Sequence, residues 1–331
     1  MIIHAQRLKT IFSNFKKSKV LVVGDLILDQ FIWGDVSRIS PEAPVPVVYV
    51  QRESVMPGGA ANVASNVRDL GGMPVVVGVI GNDSWGRVLK EKLKRPVDTS
   101  GIIVDAARKT SLKTRIVARH QQVVRVDREI TEQISKAVSK KIIRKIKKNI
   151  NRIQAIIIED YGKGVVNPFL IREIVKLARS RKVIVTVDPK EDHFSYYRGV
   201  SCITPNQHEA EKAAGIKIMD NKTLLAAGKK LLKKINSRAV LITRGEQGMC
   251  LLEKKKRGIH ISTKAQEVFD VSGAGDTVIA TFTLALASGA TFEEAAHISN
   301  YAAGIVVGKV GVATCSLDEL LRRIYADGII K

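Results

Sequence analysis

The chain is predicted to adopt an α/β fold: a central, mostly parallel sheet with helices on both faces and a small β lid projecting from it. Three observations lead there. Short β-branched runs recur along the chain, helical patterns separate most of them, and two stretches break that rhythm with extended, alternating sequence. Parallel strands covered on both faces read as continuous apolar runs, and their alternation with helices is the pattern of a doubly covered sheet.

Each element follows in order. The N-terminal MIIHAQRLKTIFSNFKKSKV mixes basic and apolar residues without an unbroken apolar core and cleavage site, so an amphipathic helix is expected there rather than a leader. Buried strands are expected at 20–23, 75–79, 155–158, 183–187 and 240–243. Helices are expected at 62–70, 167–179 and 221–234. A further helix should cover 136–152, where Ile134, Val138, Ile142, Ile146, Ile150 and Ile153 recur at helical spacing and lysines fill the opposite face. The segments 31–52 (PEAPVPVVYVQR at its end) and 110–128 (KTRIVARHQQVVRVDR within it) read as exposed strands and form the expected lid. No internal repeat or low-complexity linker is visible, so a single domain over residues 1–331 is expected.

Composition narrows the function. Hydrophobic residues make up 45% of the 331 and charged residues 26%, ordinary globular usage. No run approaches the ~18 apolar residues of a membrane span, so a cytoplasmic protein with no membrane contact is expected. Cys202, Cys250 and Cys315 are too scattered for a disulfide framework or a zinc site and read as buried hydrophobes. The formal net charge of +22 fits nucleic acid, an anionic membrane or an anionic small substrate without choosing among them. Aromatics at 5%, none interleaved with the basic residues, argue against a single-strand binder, which needs stacking platforms. No specific nucleic-acid partner is expected.

The most informative segment is DVSGAGDT at 270–277, followed by an apolar helical run. Small residues at 272–275 let a ligand approach the backbone, and the free amides that open a helix make an anion site. A carboxylate at Asp276, beside that site, can take the proton of an attacking hydroxyl while the amides of Gly273, Ala274 and Gly275 stabilise charge on a phosphoryl group. The same residues would also serve as a tight turn with a dipole-favoured acid at the helix start. A Walker-type loop, a protein-kinase HRD set and a GxGxxG after the first strand are all missing.

Together with TPNQHEAE (204–211), TRGEQG (243–248), PGGAAN (57–62) and GNDSWG (81–86), this segment resembles the ribokinase (PfkB) family of sugar kinases, in the family's motif order and over nearly the whole chain. GDLILDQFIWGDVSRISPEAPVPVV, DYGKG (160–164), VDPK (187–190) and EVFDVSGAGDTVIAT resemble the family's D-glycero-β-D-manno-heptose 7-phosphate kinases. The resemblance implies a ribokinase-like fold, Asp276 as catalytic base and Gly273, Ala274 and Gly275 as the anion hole. It implies ATP contacts at Asn206, Gln207, His208 and Glu209, with Glu209 meeting Mg²⁺ through water. Read from the residues alone, Asn206 and Glu209 would equally make a capping box. Thr243, Gly245 and Gly248 resemble the nucleotide turn, and Asn300 falls at the adenine pocket. Asp270 and Ser272 lie where relatives hold a monovalent cation.

On the acceptor side the resemblance assigns Asp29, at the end of the GDLILD strand, with Gly58, Gly59 and Asn62 to sugar hydroxyls; Asp25 is a second candidate. Alternation puts Lys113, Arg115, Arg119 and Arg125 on one lid face. That cationic face suits a phosphorylated acceptor, or equally an edge strand guarded by charge. The expected reaction is ATP-dependent phosphorylation of heptose 7-phosphate at O1. The alternatives are another sugar or sugar phosphate such as fructose 6-phosphate, and a nucleic-acid-binding protein on a kinase scaffold. Apolar lid residues such as Val45, Val47 and Val48 suggest a homodimer. Some relatives carry a C-terminal nucleotidyltransferase domain that does not follow Lys331 here, so a separate adenylyltransferase is expected to act later in the pathway.

Overall fold

The computed structural model describes residues 4–93, 97–118, 121–265 and 267–327. In chain order its elements are α1 (Ala5–Phe15), β1 (Lys19–Gly24), β2 (Leu26–Ile39), β3 (Pro46–Gly59), α2 (Ala60–Asp69), β4 (Met73–Ile80), α3 (Ser84–Lys92) and β5 (Asp98–Val104). They continue with β6 (Ser111–Ala118), β7 (Gln121–Arg128), α4 (Lys136–Asn149), β8 (Ala155–Glu159), α5 (Pro168–Arg181), β9 (Ile184–Asp188), β10 (Cys202–Ile203) and α6 (Gln207–Ala214). Then follow α7 (Asn221–Ile235), β11 (Ala239–Thr243), β12 (Met249–Glu253), β13 (Ile259–Ile261), α8 (Ala274–Ala287), α9 (Phe292–Val306) and α10 (Leu317–Ala326).

The expected α/β architecture is observed. One nine-stranded sheet has the order β13-β12-β11-β10-β9-β8-β1-β4-β5. Neighbouring strands from β11 to β5 are parallel, and the pairings of β12 with β11 and with β13 are antiparallel, so β12 alone runs against the rest. Two apolar layers cover it. Helices α1, α2, α3, α8, α9 and α10 bury their apolar sides in one core, and α4, α5, α6 and α7 in the other. Strands such as β8 are buried at every position, which is why they read as unbroken apolar runs. All three cysteines are buried and unpaired. Among the described residues, no helix is long and apolar enough to cross a membrane.

The lid is a second sheet of order β3-β2-β6-β7, and its first hairpin is longer than the expected 31–52. β2 starts two residues after β1 ends, so Asp29 lies inside a lid strand, opposite Met56 of β3 and Lys113 of β6. Sequence alone reads GDLILD as one continuous strand ending at Asp29, which the structure corrects. The reason is Asp25, whose buried carboxylate accepts hydrogen bonds from the amides of Tyr161, Lys163 and Val165 at 2.9–3.1 Å. Those bonds hold the chain where it leaves the main sheet, and they occupy both carboxylate oxygens. Asp25 therefore ties the 160–165 loop in place rather than facing an acceptor sugar. Burial pushes its pKa up to about 6, with nearby Asp160 adding to the rise and the three amides opposing it.

Replacing Asp25 by Ala strands three amides without their acceptor. Each loss costs about 1–3 kcal/mol when buried, so a destabilisation on the order of 3–5 kcal/mol is expected in urea unfolding. A change below about 1 kcal/mol would mean that the loop holds its place without the carboxylate.

Candidate active site

The centre of the site is the N-terminus of α8. Gly273 occupies its N-cap with φ at 78°, and no side chain caps the helix. That φ is costly for a residue with a Cβ, and a Cβ here would also lie 3.0 Å from the Asn62 amide nitrogen. The turn thus leaves the first-turn backbone open towards a cleft of about 290 Å³, whose wall includes Gly273, Gly275 and Asp276.

Asp276 is 3% exposed. One carboxylate oxygen accepts from Asn62 Nδ2 at 2.7 Å, the other from the Tyr161 hydroxyl at 2.9 Å. Burial lifts its pKa to about 6 against the pull of those two donors. Asn62 comes from α2, behind the Gly58–Gly59 turn, and Tyr161 from the loop that Asp25 holds. Tyr161 was not among the assigned site residues. Its DYGKG segment has no periodicity, and it is long-range contacts, those of Asp25 among them, that hold the loop so that its hydroxyl reaches Asp276 on α8. Its hydroxyl stays protonated, because burial and the charges of Asp276, Glu159 and Asp188 push its pKa well up.

Two more carboxylates meet Asp276 that sequence reasoning left unassigned. Glu159 and Asp188 end adjacent strands β8 and β9 in register, and carboxylate oxygens of Glu159, Asp188 and Asp276 lie within 4.8 Å of one another. Glu159 is fully buried, and among the described residues neither of its oxygens has a hydrogen-bond partner. Burial raises the pKa values of Glu159 and Asp188 well above the carboxylate range, and neighbouring carboxylates push them further. Their signal was positional: parallel strands place their C-terminal residues at the ligand edge of such sheets.

Asn206 and Glu209 form the capping box left open by the sequence. The Asn206 side chain accepts from Glu209 N, and Glu209 Oε2 accepts from Asn206 N, both at 2.9 Å. Both residues also line the cleft beside Asp188, as does Thr243, which adjoins Asn206 through a parallel bridge. The box uses one Glu209 oxygen and leaves the other free. Gln207, His208, Gly245, Gly248 and Asn300 lie off the cleft wall. Gln207 accepts from Arg244 Nε at 3.2 Å, His208 is exposed, and Asn300 donates to the Ser262 carbonyl at 2.6 Å. Asp270 binds the amides of Ser272 and Gly311, so it ties together the loops that flank the turn.

Across the cleft, Asp29 is ion-paired with Arg115. Gly58 faces that carboxylate so closely that any Cβ would collide with Asp29 Oδ2. Lys113 Nζ sits 4.7 Å from the centre of the Tyr161 ring, and burial lowers its pKa. Arg125, opposite Arg115 on β7, pairs instead with Asp127 at 3.0 Å. Arg119 lies outside the described residues. Beyond Arg115 opens a cavity of about 770 Å³ between the lid and the 269–272 loop. The structure therefore gathers Asp276, Gly273, Gly275, Asn62, Asn206, Glu209 and Thr243 around one cleft and sets Asp29, Lys113 and Arg115 on the lid.

Comparison with known proteins identifies the family. Residues 17–319 match the model of the pfkB family carbohydrate kinases. A relative from Geobacter sulfurreducens, the bifunctional protein HldE, is 44% identical over 317 residues, 96% of this chain. The chain spans 65% of that relative's length. Among solved structures, Arabidopsis thaliana ribokinase complexed with ribose and ATP superposes with a TM-score of 0.74 at 18% identity, covering 93% of this chain and 98% of that one. Escherichia coli phosphofructokinase-2 gives 0.77 at 16% identity, covering 94% and 99%. These two likenesses show the fold. With its family model matched from the first strand to the last helix and a relative so similar along nearly its whole length, the chain belongs to the pfkB family of carbohydrate kinases.

Proposed function

We propose that the protein transfers the γ-phosphoryl group of ATP to O1 of D-glycero-β-D-manno-heptose 7-phosphate, giving the 1,7-bisphosphate. The reading rests on one observation above all: a buried carboxylate, Asp276, held by two donors at an uncapped helix N-terminus beneath a cationic lid. The sequence stretches that resemble heptose 7-phosphate kinases support this choice of acceptor. The product would then pass to an adenylyltransferase on the way to ADP-heptose for lipopolysaccharide core synthesis, in the cytoplasm where ATP is available.

In this reading Asn62 and Tyr161 orient Asp276, which accepts the proton of the attacking hydroxyl. The amides of Gly273, Ala274 and Gly275 receive the charge that develops on the transferred phosphoryl oxygens. Asp29 and the Gly58–Gly59 turn hold sugar hydroxyls, and Lys113 and Arg115 face the acceptor's own phosphate. Asn206, Gln207, His208, Glu209, Thr243, Gly245, Gly248 and Asn300 serve the nucleotide. Buried carboxylates lacking a cationic partner suit a hard divalent ion, which prefers oxygen ligands. Asp188 and the free oxygen of Glu209 would hold Mg²⁺ through water, and its chemistry when bound is to neutralise phosphate charge. A monovalent cation would act beside Asp270, steadying the Gly273 turn. The lid's exposed Ile39, Val45, Tyr49 and Val50 support a homodimer through this sheet, which light scattering would detect.

ADP release measured over a panel of sugars and sugar phosphates tests the assignment. Heptose 7-phosphate is expected to give the highest kcat/KM. A preference for fructose 6-phosphate would move the protein to another branch of the same family.

The role of Tyr161 has its own test. Its hydroxyl lowers the Asp276 pKa, so removing it in Tyr161→Phe should shift that pKa further up. Because the base must be ionised, activity should rise with pH through about 6 in the wild type and through a higher value in the variant. A roughly tenfold loss of kcat is expected with it, and an unmoved acid limb would exclude the assigned role.

A further inference from the structure

The net charge of the chain is concentrated on one side of the molecule. Helices α4, α5 and α7 carry sixteen Lys and Arg side chains against a single acidic residue, Glu173. The short α6 in the same layer adds Lys212, Glu209 and Glu211. The six helices on the opposite face are balanced, with eight basic and seven acidic residues. All sixteen basic residues are exposed except Lys145, which is half-buried. Among the described residues, none of the sixteen forms an ion pair. Like charges at this density repel, and a solvated face needs no such bias.

We propose that this face is a docking surface for an anionic lipid bilayer. Its shape selects that partner. α4 packs under β4 and β5, α5 under β9, and α7 under β11 and β12, so the charges span a nine-stranded sheet, roughly 40 Å across at ~4.8 Å per strand. A broad layer of helices spreads its charges over an extended area, whereas a nucleic-acid duplex enters a groove or receives a protruding element. The half-buried Phe169 is the one aromatic residue on these three helices, too few for a row of stacking platforms for single-stranded bases. Twelve of the sixteen are lysines, hydrated point charges suited to diffuse attraction more than to bidentate recognition. The apolar sides of the helices are committed to the core, so nothing inserts into the bilayer and attachment is peripheral and salt-reversible. The catalytic turn and lid belong to other elements and stay free. Absence of a spanning segment, which led to the expectation of no membrane contact, does not bear on such attraction.

Co-sedimentation of the full chain with vesicles tests this. Vesicles containing about 30 mol% phosphatidylglycerol should bind the protein at about 50 mM salt and release it near 0.5 M, and phosphatidylcholine vesicles should not bind it. Changing Lys140, Lys141, Lys147, Lys148, Lys229 and Lys233 to Gln should weaken binding by roughly 100-fold or more, with kinase activity on soluble substrate unchanged. Failure of the wild type to bind phosphatidylglycerol vesicles at low salt would overturn the proposal. So would equal binding by an active variant, or tighter binding to a DNA duplex than to the vesicles at the same salt.

Discussion

Replacing Asp276 by Asn is expected to lower kcat by about 10²–10⁴-fold, the usual scale for loss of a general base, with little change in the KM for ATP. The amide has the shape of the carboxylate but cannot accept the acceptor's proton. It also turns an NH₂ group towards one of the two donors, Asn62 Nδ2 or the Tyr161 hydroxyl, that the carboxylate satisfied. Stability should move the other way. The folded pKa of Asp276 is raised to about 6 from 3.8, so the native state holds this proton more tightly than the unfolded chain does. The cost of ionising the buried group is absent below about pH 4, grows between 4 and 6, and is complete above 6. Asn should therefore stabilise the fold at pH 8 by on the order of 1–3 kcal/mol, less any loss from the mismatched donor, and give no such gain at pH 4. Near-normal turnover would remove Asp276 from the chemistry. An inactive variant destabilised equally at both pH values would point to a structural role.

Neutralising Lys113 and Arg115 together is expected to reduce kcat/KM for heptose 7-phosphate by roughly 10²-fold or more. Charge-assisted bonds contribute about 1.5–3 kcal/mol each, and about 1.4 kcal/mol is a factor of ten. The two positions differ in what else they do. Among the described residues Lys113 forms no ion pair, and it rests on the Tyr161 ring, so its loss removes little besides the contact with an anion. Arg115 holds Asp29, so its loss also frees a carboxylate assigned to sugar hydroxyls. The same heptose without its phosphate should lose much less activity, since it never met the cations. Equal losses on both substrates would place the two residues in general support of the site.

The parallel sheet was legible in the sequence because its strands are buried on both faces. The runs at 20–23, 155–158 and 240–243 must be apolar wherever the chain places them, and each corresponds to a central strand. The Gly273–Asp276 turn was legible for a similar local reason, since a left-handed glycine followed by an acid at a helix start is written into adjacent residues. Asn206 and Glu209 lie three residues apart, so the cap was open from spacing, while their place at the cleft came only from the family resemblance; the structure has them in a capping box on the cleft wall. Tyr161, Glu159 and Asp188 were not legible in this way. What brings them to Asp276 is the register of β8 on β9, 29 residues apart, and the three amides gathered by Asp25 from more than a hundred residues along the chain.

By itself, then, the amino-acid order determined the fold class, the glycine turn that opens α8 and a net charge of +22, all properties of local pattern or simple composition. Tertiary structure alone decided that GDLILD divides between two sheets at Asp25, that Arg115 is committed to Asp29, and that three carboxylates share one buried corner. It also decided where the charge lies, because helices far apart in sequence are brought to one layer only when the strands between them pair. Periodicity says which side of a helix meets the core, but which helices then stand side by side depends on the order of the strands beneath them.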